Sequence, residues 1–597
     1  MSRAPAPLAR LRGAQASPPR HPTLVHALAA AAAHPGGVTF VDLGERETHL
    51  GWREVVERAG RAAASYRAWG VRPGDRVAIV LRTEPAFLDA FFGAWLAGAV
   101  PVPLYPPVRL GRRAEYLEGT ARMLRVSGAR LLVAGGGAGR LLGEAVAGAN
   151  PPLGARDAAA LLDGAASAPH PATAPESLGL VQFSSGSTVA PKPVALTHAA
   201  LQAQADALID LVEPTRADVL VSWLPLYHDM GLIGGLLGAM SYPGPLVLIA
   251  PEHFLAGPAL WPRAMARHRG SISPAPSFAY AYVADRVAEA DLAGLDLRSW
   301  RLALDGAEPV SCDAMRRFAD RLVPHGLDEG ALRPVYGLSE AALAVTFAAG
   351  GRRPAGTMVD ASRLARDGLV VPGACEVASV GVPVPGFEVE VRGQAGEVLG
   401  EDRLGRIWAR GPSLLRELLG DPEATARMLV GGWLDTGDLG FVHRGELHVH
   451  GRAKDLVIVR GANHAPEEFE RALSGLDGLR PGCAVAVGAE LPGAAGESLL
   501  LLAEVAQGGR TDDLELVERV ARAVLERTGI SPGEVRLLAA GALPRTSSGK
   551  LRRQEALRRH HSGTLAPPGS AGPVQLAAWA ARSQLAVLRA WVRRGRP

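Results

Sequence analysis

The stretch VQFSSGSTVAPKPVALTH, residues 181–198, holds the densest set of groups able to meet an anion. An apolar run over 178–183 reads as a short buried strand, and it opens into Ser184, Ser185, Gly186, Ser187 and Thr188. Small residues let backbone N–H groups crowd around one point and the hydroxyls add donors. Lys192 adds a compact positive charge, and together these suit phosphate oxygens. The spacing is not that of a Walker loop, in which Gly-Lys-Ser/Thr opens a helix, because here the lysine lies between Pro191 and Pro193. A polar surface loop would look the same, so this stretch alone leaves both readings open.

Other stretches have the same character, a strand ending in small and polar residues. Tyr227, His228 and Asp229 precede a Gly-rich apolar run; an isolated histidine there is more often structural than catalytic. Gly306, Ala307 and Glu308 follow the run LALD, where backbone can lie against a flat ring. Tyr336, Gly337, Ser339 and Glu340 put an aromatic ring, a hydroxyl and a carboxylate close together. Asp438, Arg452 and Lys454 fall at a change of texture, and Lys550 lies in a turn before a helix. Of 64 basic residues only Lys192, Lys454 and Lys550 are lysine. A bias that replaced lysine by arginine elsewhere makes each survivor a candidate for work a guanidinium does not do, such as reaching a phosphate as one point charge. Chance survival is the alternative for any single one. No Ser/His/Asp or Cys/His set is evident.

The elements that must position these groups read as α/β. At 597 residues the chain exceeds one core. Helices are predicted over 23–33, 52–69 and 87–96, and strands over 38–42 and 76–81. Further strands at 131–133, 178–183, 219–223 and 246–250 are each expected to lead into a helical stretch, which argues for parallel sheets covered on both faces. From about residue 378 short strands at 378–382, 387–391, 406–410 and 446–449 predict a small antiparallel, barrel-like unit. After Gly451 a new α/β segment begins, with strands at 456–459, 484–487 and 499–504 and helices at 467–473 and 513–526. The predicted division is a loose segment 1–22, a large N-terminal domain 23–452 with two doubly wound sheets and the barrel-like unit, a smaller α+β domain 453–560, and a tail 561–597. The net charge of +4 gives no global field for nucleic acid. Three scattered cysteines fit a reducing compartment better than a disulfide framework. No apolar run reaches the roughly 20 residues of a membrane span. A cytoplasmic protein is the expectation.

Taken in order, the motifs resemble those of the adenylate-forming superfamily of acyl- and aryl-CoA synthetases, luciferases and peptide-synthetase adenylation domains, over about residues 25–558. PVPLYPP, YHDMGLIGG, SPAPSFAYAYV, DGAEPV and GLSEAAL are most similar to the fatty acyl-AMP ligases. Those enzymes form an acyl-adenylate from ATP and pass the acyl group to the phosphopantetheine thiol of a holo acyl carrier protein. They carry an insertion where residues 349–376 fall in this chain. The resemblance implies that Ser184–Thr188 and Lys192 hold the β/γ-phosphates, and that Tyr336 stacks on adenine with Gly306, Ala307 and Glu308 lining the ring. It implies that Asp438 takes the ribose hydroxyls with Arg452 nearby, that Glu340 helps hold Mg²⁺, and that Ser339, after Gly337, faces the α-phosphate. Lys550 would bridge the attacking carboxylate and the α-phosphate, and Lys454 would be the hinge about which a mobile C-terminal domain swings. His228 joins Lys550 and Glu340 as a catalytic candidate.

Asp305 departs from the Asn usual in this subfamily and would add a negative charge beside the base. The acyl pocket is expected from 223–235 and 273–282. In the tail, Val574, Ala578, Ala581, Leu585, Leu588 and Val592 recur at helical spacing beside several arginines. Its readings are a helix packed on its own enzyme, a dock for an acidic carrier protein, and a peripheral membrane contact. The function implied is activation of a medium- or long-chain fatty acid for carrier-bound biosynthesis. The rivals are a fatty acyl-CoA ligase on the same fold and a non-catalytic acyl-nucleotide-binding module.

Overall fold

The computed structural model describes residues 7–107, 113–136, 141–165, 172–184, 191–351, 353–459, 462–491, 497–546 and 550–567. At its centre the strands Gly37–Val41, Leu246–Ile249, Leu220–Ser222, Ile272–Ala275, Leu302–Asp305 and Leu332–Gly337 lie side by side, all parallel. Runs such as LVLI are buried along their whole length, as a sheet covered on both faces requires. One covering layer packs Trp261, Tyr280, Trp300 and Phe318 edge to face against each other. A second parallel sheet, Val100–Pro103, Arg76–Val80, Leu131–Ala134 and Ala155–Asp157, stands beside it. The helix Pro85–Leu96 is apolar apart from Asp89, which pairs with Arg58, and is buried from Phe87 onward, so it serves as core in its own right.

Two expectations change. The strand Leu178–Phe183 does not lead into a helix: it turns back into the antiparallel strand Pro193–Thr197, so the candidate phosphate loop closes a hairpin. The antiparallel strands expected beyond residue 374 are present within the large N-terminal part. Through Cys375–Pro383 and Ala344–Phe347 they continue the hydrogen bonding of the central sheet. The segment 1–22 is not loose where it is described: Arg10–Arg12 pairs with Glu388–Arg392 as an edge strand, Ala9 and Leu11 are buried, and Arg20 bonds Asp206 and Asp210. Residues 185–188 and the predicted tail helix lie outside the described residues.

Past Arg452 the chain builds a three-stranded sheet, Leu479–Glu490, Glu497–Val505 and Glu534–Leu538. Helices Pro466–Ala472 and Leu514–Thr528 bury Phe469 and Val520 on one face, and the helix Arg553–His561 buries Ala556 on the other. Arg559 reaches Glu115 of the helix Arg113–Ser127 at 2.7 Å, joining this part of the chain to the parallel-sheet part. Among the described residues no helix is long and apolar enough to cross a membrane.

Candidate active site

Strand order places the site. The chain runs from Leu220–Ser222 to Leu246–Ile249 on one side, then crosses to Ile272–Ala275 on the other. Where strand order reverses in this way, the connections at the carboxyl ends diverge and leave a crevice. Leu220–Ser222 and Ile272–Ala275 are joined only at Leu220 and Ile272, so they part toward those ends. The residues just past successive strands are His228 and Asp229, then Gly306 to Glu308, then Ser339 and Glu340. A cavity of about 470 Å³ opens there.

Its polar end is lined by Ser184, Lys192, His228, Ala307, Tyr336, Gly337, Ser339, Glu340, Arg452, Lys454 and Lys550. All three lysines of the chain therefore meet in one cavity. Glu308 and Asp438 stand one layer behind this wall. Glu308 accepts from Phe278 N at 2.7 Å, which fastens the loop after Asp305 to the helix Ser277–Arg286. Gly306 is not on the wall either; it passes so close to Val335 that a Cβ would collide, which explains the glycine. Asp438 takes the Tyr336 hydroxyl at 2.7 Å and faces Arg452 Nε at 3.4 Å, its cross-strand neighbour. Burial pushes the Asp438 carboxyl up, opposed by Arg452 and Tyr336. Ser185, Gly186, Ser187 and Thr188 lie outside the described residues.

Asp229 also lines the cavity, a residue that the motif reading named without giving it a role. Buried, it caps the π-helical stretch Met230–Leu237 by accepting from Met230 N at 2.7 Å, a geometry common near functional sites. It also accepts from the Ser339 hydroxyl and lies 2.7 Å from His228 Nδ1. Burial opposes its ionisation, but His228, Ser339 and the Lys550 charge together hold it below the usual carboxylate range. Its signal in the sequence was position alone, next to a histidine at a strand end. Burial lowers the Lys550 ammonium, with Asp229 and Glu308 countering and Arg452 adding to the fall. Burial raises Glu340, partly offset by Arg452 and Lys192, and lowers Lys454.

Two expectations are corrected. Asp305 does not stand on the cavity wall. It is fully buried and accepts from Ser277 Oγ at 2.6 Å. Burial pushes its carboxyl well above the usual carboxylate range, opposed by the Ser277 hydrogen bond. The apolar arm of the cavity uses Met230, Gly234 and Pro274, but neither Trp223 nor residues 276–282. Trp223 instead stacks on Phe254 at 4.0 Å. The missing wall comes from the helix His198–Val212, through Leu208, Ile209 and Val212.

Among the described residues no group of three or more His, Cys, Asp or Glu could hold a metal by itself. Glu340 is the carboxylate on the wall near Lys192 and Arg452. A single carboxylate fits Mg²⁺, which takes most of its oxygens from water and from a nucleotide's phosphates.

Comparison with known proteins agrees with this geometry. The family model of AMP-binding enzymes matches residues 28–419. A putative acyl-CoA synthetase of Caulobacter vibrioides is 37% identical over 556 residues, 91% of this chain and 96% of the relative. A 4-hydroxyphenylalkanoate adenylyltransferase of Mycobacterium tuberculosis is 34% identical, covering 85% of this chain and 86% of its own. The medium-chain-fatty-acid–acyl-carrier-protein ligase JamA of Moorena producens is 30% identical, covering 88% and 92%. A structure from studies of fatty acyl-adenylate ligases of E. coli and L. pneumophila superposes with a TM-score of 0.85 at 31% identity, over 92% of this chain and 99% of that one. The chain belongs to the AMP-binding enzyme family and is an adenylate-forming ligase. Within that family it stands with the fatty acyl-AMP ligases.

Proposed function

We propose that this enzyme activates a medium- or long-chain fatty acid with ATP and hands the acyl group to the phosphopantetheine thiol of a carrier protein. The observation that carries the reading is the shape of the cavity, one end lined by lysines, arginine and carboxylates and the other by aliphatic side chains. The acid's carboxylate attacks the α-phosphorus of ATP, the bond to the β-phosphate oxygen breaks, and pyrophosphate leaves. Two anions must meet and charge grows on the equatorial oxygens, so the protein's part is positioning and electrostatic stabilisation. Lys550 neutralises carboxylate and α-phosphate together, and Asp229 and Glu308 keep its ammonium aimed. Ser184, the loop after it and Lys192 hold the outgoing phosphates. Tyr336 presents its ring to adenine with Ala307 lining the other side, and Asp438, behind that ring, holds the Tyr336 hydroxyl in place. Asp229 on Nδ1 fixes the His228 ring at the cavity wall. Glu340 would hold Mg²⁺, which when bound offsets phosphate charge. In the second step the thiol attacks the acyl carbonyl and AMP leaves, with Lys454 as the hinge for the C-terminal part.

The preference for a carrier over free CoA is supported by the insertion. Its strand Gly356–Val359 pairs with Cys375–Pro383, and its helix Ala361–Asp367 lies against Ala462–His464 beyond the hinge. Arg471 Nη1 also donates to Glu376 O at 3.0 Å. The Caulobacter relative's name favours the rival, CoA ligation. Pyrophosphate exchange with a panel of fatty acids, followed by incubation with CoA or a holo carrier protein, tests the reading. Exchange followed by acyl-carrier formation is expected. Rapid acyl-CoA formation would establish the rival, and no exchange with any acid would sink both.

A further inference from the structure

The glycines of the π-helical stretch and its end do different work. At Gly231 a Cβ would run into Pro225 O, and at Gly234 it would press on Leu343 Cδ2 at 2.9 Å, so packing accounts for both. Gly238 is different. Its φ of −60° and ψ of −50° suit any helical residue. A Cβ there would meet nothing but Ile233 O, at an ordinary 3.6 Å. Neither backbone conformation nor packing requires glycine, and the residue lines the apolar arm of the cavity. The space a side chain would fill is the arm itself.

Gly238 also has a definite depth. The same helix begins at Asp229, beside Ser339 and Lys550, where the acid's carboxylate must sit. The nine steps from Asp229 to Gly238 span about 13.5 Å at the ~1.5 Å rise of an α-helix, and somewhat less in a π-helical stretch. An alkyl chain with C–C bonds near 1.5 Å at tetrahedral angles advances about 1.3 Å per carbon, so Gly238 faces about the ninth or tenth carbon. Beyond it the arm continues past Val212 and Tyr242 to Asp218. There the Asp218 carboxylate, locked by Arg301 at 2.7 Å and Thr215 N at 2.7 Å, forms a polar stop. We propose that Gly238 sets the acyl chain length of this enzyme, admitting chains past about nine carbons into the last part of the arm, which Asp218 closes. This rests on the acyl-adenylate reading above.

The test is pyrophosphate exchange by the full chain with saturated acids from hexanoate to hexadecanoate, for wild type, Gly238→Ala and Gly238→Leu. Wild type should work best between decanoate and tetradecanoate. A leucine should bar chains longer than about octanoate; since each methylene forced into a filled pocket costs about 10-fold or more, exchange with dodecanoate should fall at least about 10-fold. Exchange with hexanoate should stay within about threefold, as should the ATP Kd, because a leucine at that depth touches neither. Alanine should clip the profile by one or two carbons. An unmoved length profile in both variants would overturn the inference. So would a loss equal at every length and accompanied by weaker ATP binding, which would give Gly238 a structural role. No exchange by wild type with any acid would remove the underlying reading instead, independently of the variants.

Discussion

Replacing Lys550 by alanine separates positioning from chemistry more cleanly than any other change in the site. Lys550 reaches the cavity from a turn held by its own backbone: Lys550 N donates to Thr546 Oγ1 at 3.0 Å, and Thr546 N to Lys550 O at 2.7 Å. Truncation at Cβ therefore leaves the turn intact. Asp229 keeps His228, Ser339 and Met230 N as partners, so no carboxylate is stranded by the loss. What disappears is one preorganised cation aimed at charge that grows only in the transition state, worth about 10²–10³ in rate, or ~3–4 kcal/mol. The upper end is expected, because the group is buried and acts through a low local dielectric. In the proposed mechanism the nucleotide is held by other groups, Lys192 and Arg452 among them, so the ATP Kd should change by less than about threefold, as for a group that contributes little to ground-state binding. Pyrophosphate exchange reads the first quantity and equilibrium binding the second. Transfer of the acyl group from preformed acyl-adenylate gives a third, which should be nearly unchanged. Equal losses of exchange and ATP affinity would refute the role given to Lys550, and an equal loss of acyl transfer would make it a structural anchor.

The remaining expectations are narrower. Burial lowers Lys550, and Asp229 is the first group that opposes this, so Asp229→Asn should let the ammonium lose its proton at lower pH. The activity that depends on that charge is present below the lowered pKa and disappears as pH rises through it. The alkaline limb of exchange should therefore move to lower pH in Asp229→Asn, and an unmoved limb would disconnect the pair. Arg471→Ala removes a tie between the insertion and the part beyond the hinge. If that tie restrains the swing needed for CoA, acyl-CoA formation should rise severalfold while adenylate formation holds, and unchanged acyl-CoA formation would remove the insertion from the argument.

Much of this site is local in the chain, and that part was legible without a fold. A short apolar run ending in small, hydroxyl-bearing or acidic residues is a buried strand meeting a polar edge, and each of the motifs around Ser184, His228, Glu308 and Ser339 is one such ending. Near-total replacement of lysine by arginine marked Lys192, Lys454 and Lys550 before any geometry was known. The amino acids alone therefore marked the candidate groups and the strand ends that present many of them. Only packing decided which of them meet and in what charge state. Asp305 looked like a charge beside the base, yet it is buried off the wall, where burial pushes its carboxyl up against the Ser277 hydrogen bond. Asp229 looked like a neighbour of His228 alone, yet it also faces Ser339 and Lys550, groups from distant parts of the chain. Leu208, Ile209 and Val212 look like the core stripe of any amphipathic helix, and become the wall of the acyl arm only because the Gly-rich π-helical stretch opposite leaves space against them. Periodicity and turn chemistry are set by neighbours in sequence, whereas burial, and with it protonation and cavity shape, is set by whatever distant segment lands alongside.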